Sequence, residues 1–245
     1  MVPLDTPVQE REKAEAAQVS CGHCDLGALA FCSGLKADQF RRFLGVLRQT
    51  AVEAHSTVFR EGDQALHLYT VASGAVKLYK LLSDGRRQVT AFLFPGDFFG
   101  LSVNGAYAYT AEAMGQVMLC RFPRVKLDVL LGDIPMLEKK LLEATTHELA
   151  LAHEQMLLLG RKTAREKLAT FLVMLMRRLT GRTDGTPLLA LTMSRSDIAD
   201  YLGLTIETVS RTLTAFRKDG LITCPDANHV AIKLPDVLLR IAEGS

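Results

Sequence analysis

From Ser56 to about Arg121 the chain runs in short apolar segments punctuated by Gly62, Gly74, Gly85 and Gly96. Each glycine stands in a turn-like setting (Glu-Gly-Asp, Ser-Gly-Ala, Asp-Gly-Arg, Pro-Gly-Asp), where its tolerance of positive φ suits a reversal. The runs Leu66–Val71, Val76–Leu82 and Gln88–Phe94 have strand length, and Tyr109–Met114 and Gln116–Phe122 supply two more, the last carrying Cys120. Strands at this spacing predict an antiparallel sandwich or barrel.

On either side the period becomes helical. Phe40, Phe43, Leu44 and Leu47 recur at helical spacing within Lys36–Leu47, with Arg41, Arg42 and Arg48 facing outward, which predicts one short amphipathic helix. After Asp133, taken as an N-cap with Pro135 in the first turn, a long helix is predicted to about Leu159. It is apolar on two sides: Leu137, Leu141, Ala144, Leu151 and Leu158 on one, Leu142, Leu149, Met156 and Leu159 on the other. Such a helix faces two partners, its own barrel and, most simply, the same helix of a second subunit. Full burial inside a monomer is the alternative. Thr146, Leu149, Ala150, His153, Met156 and Leu157 are the candidate dimer residues; Thr145, Thr146 and His153 interrupt the seam and argue against a strong constitutive zipper. Gly160 marks a predicted break. Thr163-Ala-Arg-Glu166 is a capping-box pattern opening a helix over Phe171, Leu172 and Leu175 that Gly181 closes, and a loop to Pro187 follows.

The last third holds two short helices. Ser194-Arg-Ser-Asp197 caps one over Asp197–Leu202, ending at Gly203, and Thr205 caps another running to Gly220. With Ile198, Ala199, Leu202, Val209 and Leu213 inward, this is a helix-turn-helix pattern. Glu207, Ser210, Arg211 and Thr214 form one polar face near the start of the second helix, where a recognition helix meets base edges. A carboxylate accepts from cytosine, Arg donates in bidentate fashion to guanine, and Ser pairs with several edges. Leu221–Thr223 and His229–Leu234, flanking Cys224-Pro-Asp-Ala-Asn228, predict a wing hairpin. An ordinary helical hairpin with a solvated face is the competing reading.

Charge sharpens this division. Residues 161–245 carry 13 Lys/Arg against 9 Asp/Glu, while residues 1–160 carry a net charge of −2, a distribution that hints at nucleic-acid binding in the last third. No apolar run approaches the ~18 residues of a bilayer span, and the polar first twenty residues lack a secretory signal's apolar core. The expectation is a cytosolic (cytoplasmic) protein with no membrane partner, whose thiols stay reduced and serve metal or redox chemistry rather than disulfides. No phosphate-cradling Gly loop, zincin motif or nucleophile elbow is present, and the six His are scattered, so no enzyme is expected.

Cys21, Cys24 and Cys32 place three of the five cysteines within twelve residues. Three thiols that close suit a metal or cluster, but a fourth ligand must come from elsewhere. Zinc completed by His23 or Cys120, and a metal-free thiol switch, are open readings of the same residues. Cys224 reads as a bystander.

The order of parts, with Asp197-Ile-Ala-Asp-Tyr-Leu-Gly-Leu-Thr-Ile-Glu-Thr-Val-Ser-Arg211 as the sharpest motif, resembles the cAMP receptor protein/FNR (CRP/FNR) family of bacterial transcription regulators, over residues 20–245. The resemblance implies an α+β fold: an N-terminal antiparallel β-roll (cupin-like), a long dimerisation helix and a C-terminal winged helix-turn-helix. The expected division is 1–20 flexible, 21–132 sensor roll, 133–160 dimerisation helix and 161–245 DNA-binding domain. It implies a homodimer that reads double-stranded DNA of the TTGAT…ATCAA type through Glu207, Ser210 and Arg211, with Arg195, Ser194 and Thr205 on phosphates. Cyclic-nucleotide binders of the family resemble one another in a Gly-Glu and a later Arg-Thr/Ser-Ala. Here the corresponding stretches read Phe98-Phe-Gly-Leu-Ser102 and Tyr109-Thr-Ala-Glu112, lacking both the Glu and the Arg, so no cyclic nucleotide is expected. FNR-type members instead hold a [4Fe–4S] cluster by an N-terminal Cys trio and one Cys of the barrel, which implies Cys21, Cys24, Cys32 and Cys120 as ligands. The seven residues between Cys24 and Cys32, where the best-known members have five, resemble an FnrN/FixK-like subset. Oxygen, in such proteins, converts the cluster and loosens the helix pair. RNA polymerase is the implied partner of turns such as Ser83–Arg87, which are also what a merely solvated hairpin would look like.

Overall fold

A computed structural model describes residues 26–27, 30–102, 104–179 and 188–244. Residues 1–20, Cys21, His23, Cys24 and the predicted loop Gly181–Pro187 lie outside the described residues. The chain divides into two compact units, residues up to Leu78 with Phe92–His147, and Tyr79–Ala91 with Glu148 onward.

The first unit begins with helix α1 (Ala37–Val46), whose Phe43 is buried, as the apolar spacing predicts. Eight strands follow: β1 (Arg48–Val52), β2 (Thr57–Phe59), β3 (His67–Ser73), β4 (Val76–Leu81), β5 (Arg87–Leu93), β6 (Phe98–Phe99), β7 (Thr110–Ala113) and β8 (Val117–Pro123). They form two four-stranded sheets, ordered β1-β8-β3-β6 and β2-β7-β4-β5. Gly62, Gly74, Gly85 and Gly96 all take positive φ at the turns. Strand β1 lies outside the glycine-spaced series; it pairs antiparallel with β8, and its Gln49 stands opposite Cys120.

Helix α2 (Arg124–Asp133) is not predicted by the hydrophobic pattern, because its Val125 and Val129 are exposed and blur its apolar stripe. Asp133 therefore ends α2 instead of capping the long helix, and its carboxylate pairs with Arg42. The long helix α3 spans Pro135–Arg161, passing Gly160 by one residue before it ends ahead of Lys162–Thr163. An exposed helical glycine costs only about 1 kcal/mol, so it did not stop the helix. The boundary between the units falls inside α3, after His147.

In the second unit, α4 (Ala164–Leu179) opens with the expected box: Thr163 N–H donates to Glu166 Oε2 at 2.8 Å. Its Phe171, Leu172 and Leu175 are buried. Helix α5 spans Arg195–Leu202, two residues longer at its start than predicted, because Ser194 itself is the cap. Gly203 follows at φ 60, where an added Cβ would stand 3.1 Å from Leu159 Cδ2. Helix α6 (Ile206–Lys218) comes next, capped by Thr205 and ending before Asp219, with Val209, Leu213 and Phe216 buried. The wing, β10 (Ile222–Thr223) and β11 (His229–Ile232), gains a third strand, β9 (Leu188–Ala190), paired with β11. Helix α7 (Pro235–Glu243) closes the chain and packs on α4.

Candidate metal centre and nucleic-acid interface

The first site grows from the face of β8 that carries Cys120 and Phe122. In the antiparallel register Thr70 stands opposite Cys120 and Leu68 opposite Phe122, so β3 lends Leu68 and Thr70 to the same face. Cys120 is buried in a cluster with Phe31, Phe43, Leu68, Phe122, Leu127, Ile134 and Leu137, and Cys32 packs against that cluster. Phe31, the neighbour of Cys32, stacks 5.1 Å from Phe98 and lies 6.1 Å edge-on from Phe122. An aromatic thus docks the cysteine turn onto the roll, and two of the four expected ligands are drawn to one apolar core. Cys21 and Cys24 lie outside the described residues, and among the described residues no group of three metal-ligating side chains forms.

The surroundings suit a soft occupant. Thiols are ligands for zinc and iron–sulfur clusters, and the shell is apolar. Thr70, 2% exposed, has no hydrogen-bond partner for Oγ1, a buried donor beside the sulfur-bearing face.

The cysteine turn is tied to α3 as well. Ser33 N–H donates to Ala30 O at 2.9 Å, closing a turn that contains Cys32. Lys140 Nζ donates to the same carbonyl at 3.2 Å and to Ser33 Oγ. A Cβ on Gly34 would meet Met136 Sδ at 3.5 Å. No linear signal marks Lys140, which in sequence looks like any solvated helix lysine.

The second site is the face of α6. Glu207, Ser210, Arg211 and Thr214 are all exposed, with Val209, Leu213 and Phe216 buried behind them. The Glu207 carboxyl is held below its ordinary range, first by its own backbone amide, then by the Thr205 hydroxyl, with Arg211 adding. It therefore stays an acceptor at neutral pH. Arg211 donates to Thr208 Oγ1 at 3.2 Å, which aims the guanidinium along the helix. Ser194 Oγ accepts from Asp197 N at 3.0 Å, Thr205 Oγ1 from Thr208 N at 3.2 Å, and Arg195 donates to Ala227 O of the wing turn. The three expected phosphate contacts are thus a cap, a cap and a wing brace.

Sequence reasoning missed what holds this face in place. Arg165 of α4 pairs with Asp219 at 2.8 Å and lies 4.9 Å over the Phe216 ring, pinning the end of α6. In the hairpin that belongs to this unit, Arg87 pairs with Asp197 at 2.8 Å and Asp200 at 2.7 Å, and Gln88 donates to Asp200 O at 2.6 Å. Arg87, the last residue of the Ser83–Arg87 turn, therefore faces α5, while Ser83 to Arg86 stay exposed.

Similarity to known proteins follows the same division. A sequence model described as "Cyclic nucleotide-binding domain" matches residues 49–133, and one for "Bacterial regulatory proteins, crp family" matches residues 191–222. The nitrogen fixation regulation protein FixK of Bradyrhizobium diazoefficiens is 41% identical over 202 residues, covering 82% of this chain and 85% of that protein. The transcriptional activator protein FnrL of Cereibacter sphaeroides is 35% identical, covering 86% and 87%. The chain belongs to the CRP/FNR family of transcription regulators. At 30% identity the fumarate and nitrate reduction regulatory protein of Salmonella typhi covers 99% of this chain and 97% of its own. The solved structure of FixK2 from Bradyrhizobium japonicum matches with TM-score 0.75 at 39% identity, over 80% of this chain and 97% of that one. This CRP/FNR member is accordingly an α+β regulator with a roll, a long helix and a DNA-binding helix-turn-helix, and not an enzyme. No described helix is long and apolar enough to cross a membrane.

The roll that matches the nucleotide-binding model is crowded inside. Tyr107 stacks 3.6 Å from Phe59, and its hydroxyl donates to His67 O at 2.8 Å. Tyr109 OH accepts from Gly100 N at 3.2 Å, and Arg124 donates to Gly100 O at 3.0 Å. Gly100 itself sits at φ 92, with His67 O 3.1 Å from where a Cβ would stand. Buried Lys77 forms an ion pair with half-buried Glu112 at 3.0 Å.

Proposed function

We propose that this chain is an oxygen-responsive transcription regulator that binds palindromic DNA of the TTGAT…ATCAA type as a cytoplasmic homodimer while a [4Fe–4S] cluster is in place. The observation that carries the reading is the packing of Cys32 against the core cluster that contains buried Cys120, which brings together two cysteines from opposite ends of the sensor. Cys21, Cys24, Cys32 and Cys120 would hold the cluster, one thiolate to each iron. When bound, the cluster supplies an oxygen-labile covalent brace among these segments. The protein's own residues do the rest. Phe31 seats the cysteine turn, and the exposed Leu149, Met156 and Leu157, with Thr146, Ala150 and His153, offer α3 to a second copy. Glu207, Ser210 and Arg211 read bases, and Ser194, Arg195 and Thr205 meet phosphates. The exposed tip from Ser83 to Arg86 is the surface offered to RNA polymerase. In this reading the roll takes no cyclic nucleotide: Phe98–Ser102 and Tyr109–Glu112 lack the Glu and Arg that such binders share, and the Glu112 carboxylate would repel a phosphate.

Anaerobic purification tests the reading directly. The expected protein is brown, holds four irons and four sulfides per chain, and loses colour and palindrome binding together in air. A colourless protein containing zinc sinks the cluster and leaves a zinc-anchored regulator.

A further inference from the structure

We propose that Lys140 is the positioning residue that couples the Cys32 turn to the long helix, so that the sensor's state reaches the dimer face through one ammonium group. The inference rests on the cluster reading above. Lys140 Nζ donates to Ala30 O and to Ser33 Oγ, the residues on either side of Phe31-Cys32. Ala30 O also accepts Ser33 N–H, so one carbonyl is shared between the turn's own closure and the helix's lysine. The lysine is partly buried, and the turn it holds is seated on α3's first turns through Phe31, Ile134 and Leu137 and through Gly34 against Met136.

Cys32 therefore cannot shift without breaking charge-assisted hydrogen bonds to α3, which are about twice as strong as neutral ones. Leu142 stands two residues beyond Lys140 and, at 67% exposed, begins the row Leu142, Leu149, Met156 that faces a second copy. With its sulfur held, Cys32 keeps the turn closed and Lys140 anchored. With its sulfur released, the turn opens, the lysine returns to water, and α3 loses its lateral support beside the first dimer contact.

Two measurements on the full chain test this. In anaerobically purified protein with iron and sulfide intact, Lys140→Met should speed amide hydrogen exchange across residues 30–35 by about tenfold, the loss of one charged hydrogen bond; unchanged exchange overturns the tie. In anaerobically purified protein, sedimentation gives the dimer constant before and after air. Wild type should weaken on aeration, and Lys140→Met, with iron and sulfide content intact, should show an air effect about tenfold smaller, while Lys140→Arg restores it. A Lys140→Met protein whose dimer responds to air as wild type does overturns the coupling. So does one that loses iron with its dimer constant in air unchanged, since the lysine then only holds the loop. A wild-type chain that carries no iron removes the parent reading and is recognised before any variant is made.

Discussion

Thr70 keeps its hydroxyl sealed in the roll without a partner, a condition that costs about 1–3 kcal/mol. Its place opposite Cys120 puts that donor beside a proposed cluster ligand, where a bound cluster would supply further sulfur acceptors. Thr70→Val keeps the shape and removes the donor. The metal-free variant should be more stable than wild type by about 1 kcal/mol in urea unfolding, whereas the loaded variant should lose iron faster in air. A metal-free Thr70→Val that is less stable would show the hydroxyl to be satisfied without the cluster. His67, in the same roll, has its pKa lowered from 6.5 by burial and, secondarily, by Arg121. The unfolded chain therefore takes up this proton first. His67 favours the folded state fully above pH 6.5, and the contribution falls as pH drops from 6.5 towards the folded value. Replacing His67 with Gln should flatten the stability–pH curve in that window; an unchanged slope would place the titration elsewhere.

At the scale of elements, α6 shows how far pattern alone carries. The i, i+3, i+4, i+7 spacing of Glu207, Ser210, Arg211 and Thr214 was legible because an amphipathic helix must bury Val209, Leu213 and Phe216, leaving the opposite face outward. The glycine-spaced strands were legible for the same local reason. Strand β1 and helices α2 and α7 were not, because their identity depends on partners: β1 on the edge of β8, α2 on a core that takes only Leu127 and Leu130 from it, α7 on α4. Long-range polar ties such as Lys140 to Ala30, Arg165 to Asp219 and Arg87 to Asp197 have no sequence period at all. Two substitutions separate reading from holding in α6. Arg211→Ala removes a proposed base reader and should cost about 1–3 kcal/mol on the preferred palindrome while barely changing non-specific DNA affinity. Thr205→Ala removes the cap and a proposed phosphate contact, so it should lower stability by about 1 kcal/mol and weaken all DNA sequences alike. Quantitative gel shifts on matched and scrambled sites decide between them, and equal losses on both sites for Arg211→Ala would strip it of its reading role.

At the scale of the molecule, the unfinished surface is the long helix. Leu149, Met156 and Leu157 are 56%, 62% and 64% exposed in the single chain, and Thr146, Ala150 and His153 share their exposure. Apolar side chains repeating every seven residues along one face are the mark of a helix that expects a copy of itself. In the proposed dimer, the interruptions by Thr146 and His153 would keep that association weak, as a switch requires: a dimer too stable could not be released, and one too weak could never be assembled. A half-site engaged by one recognition helix binds weakly, and joining two by a dimer converts the second contact into an intramolecular one, raising affinity by about 10²–10⁴ without any new base contact. Leu149→Glu separates association from folding. Its site is solvent-exposed in the monomer, so the folded chain should lose no more than about 0.5 kcal/mol. Placed against its own copy, the carboxylate brings like charges together across the seam, and the dimer should dissociate at concentrations where wild type is fully paired. Palindrome affinity should then fall by about the same 10²–10⁴, with affinity for an isolated half-site unchanged. Sedimentation and gel shifts on one and two half-sites measure all three quantities. If Leu149→Glu stays dimeric and binds the palindrome as before, α3 is not the seam, and the exposed row must serve a different partner.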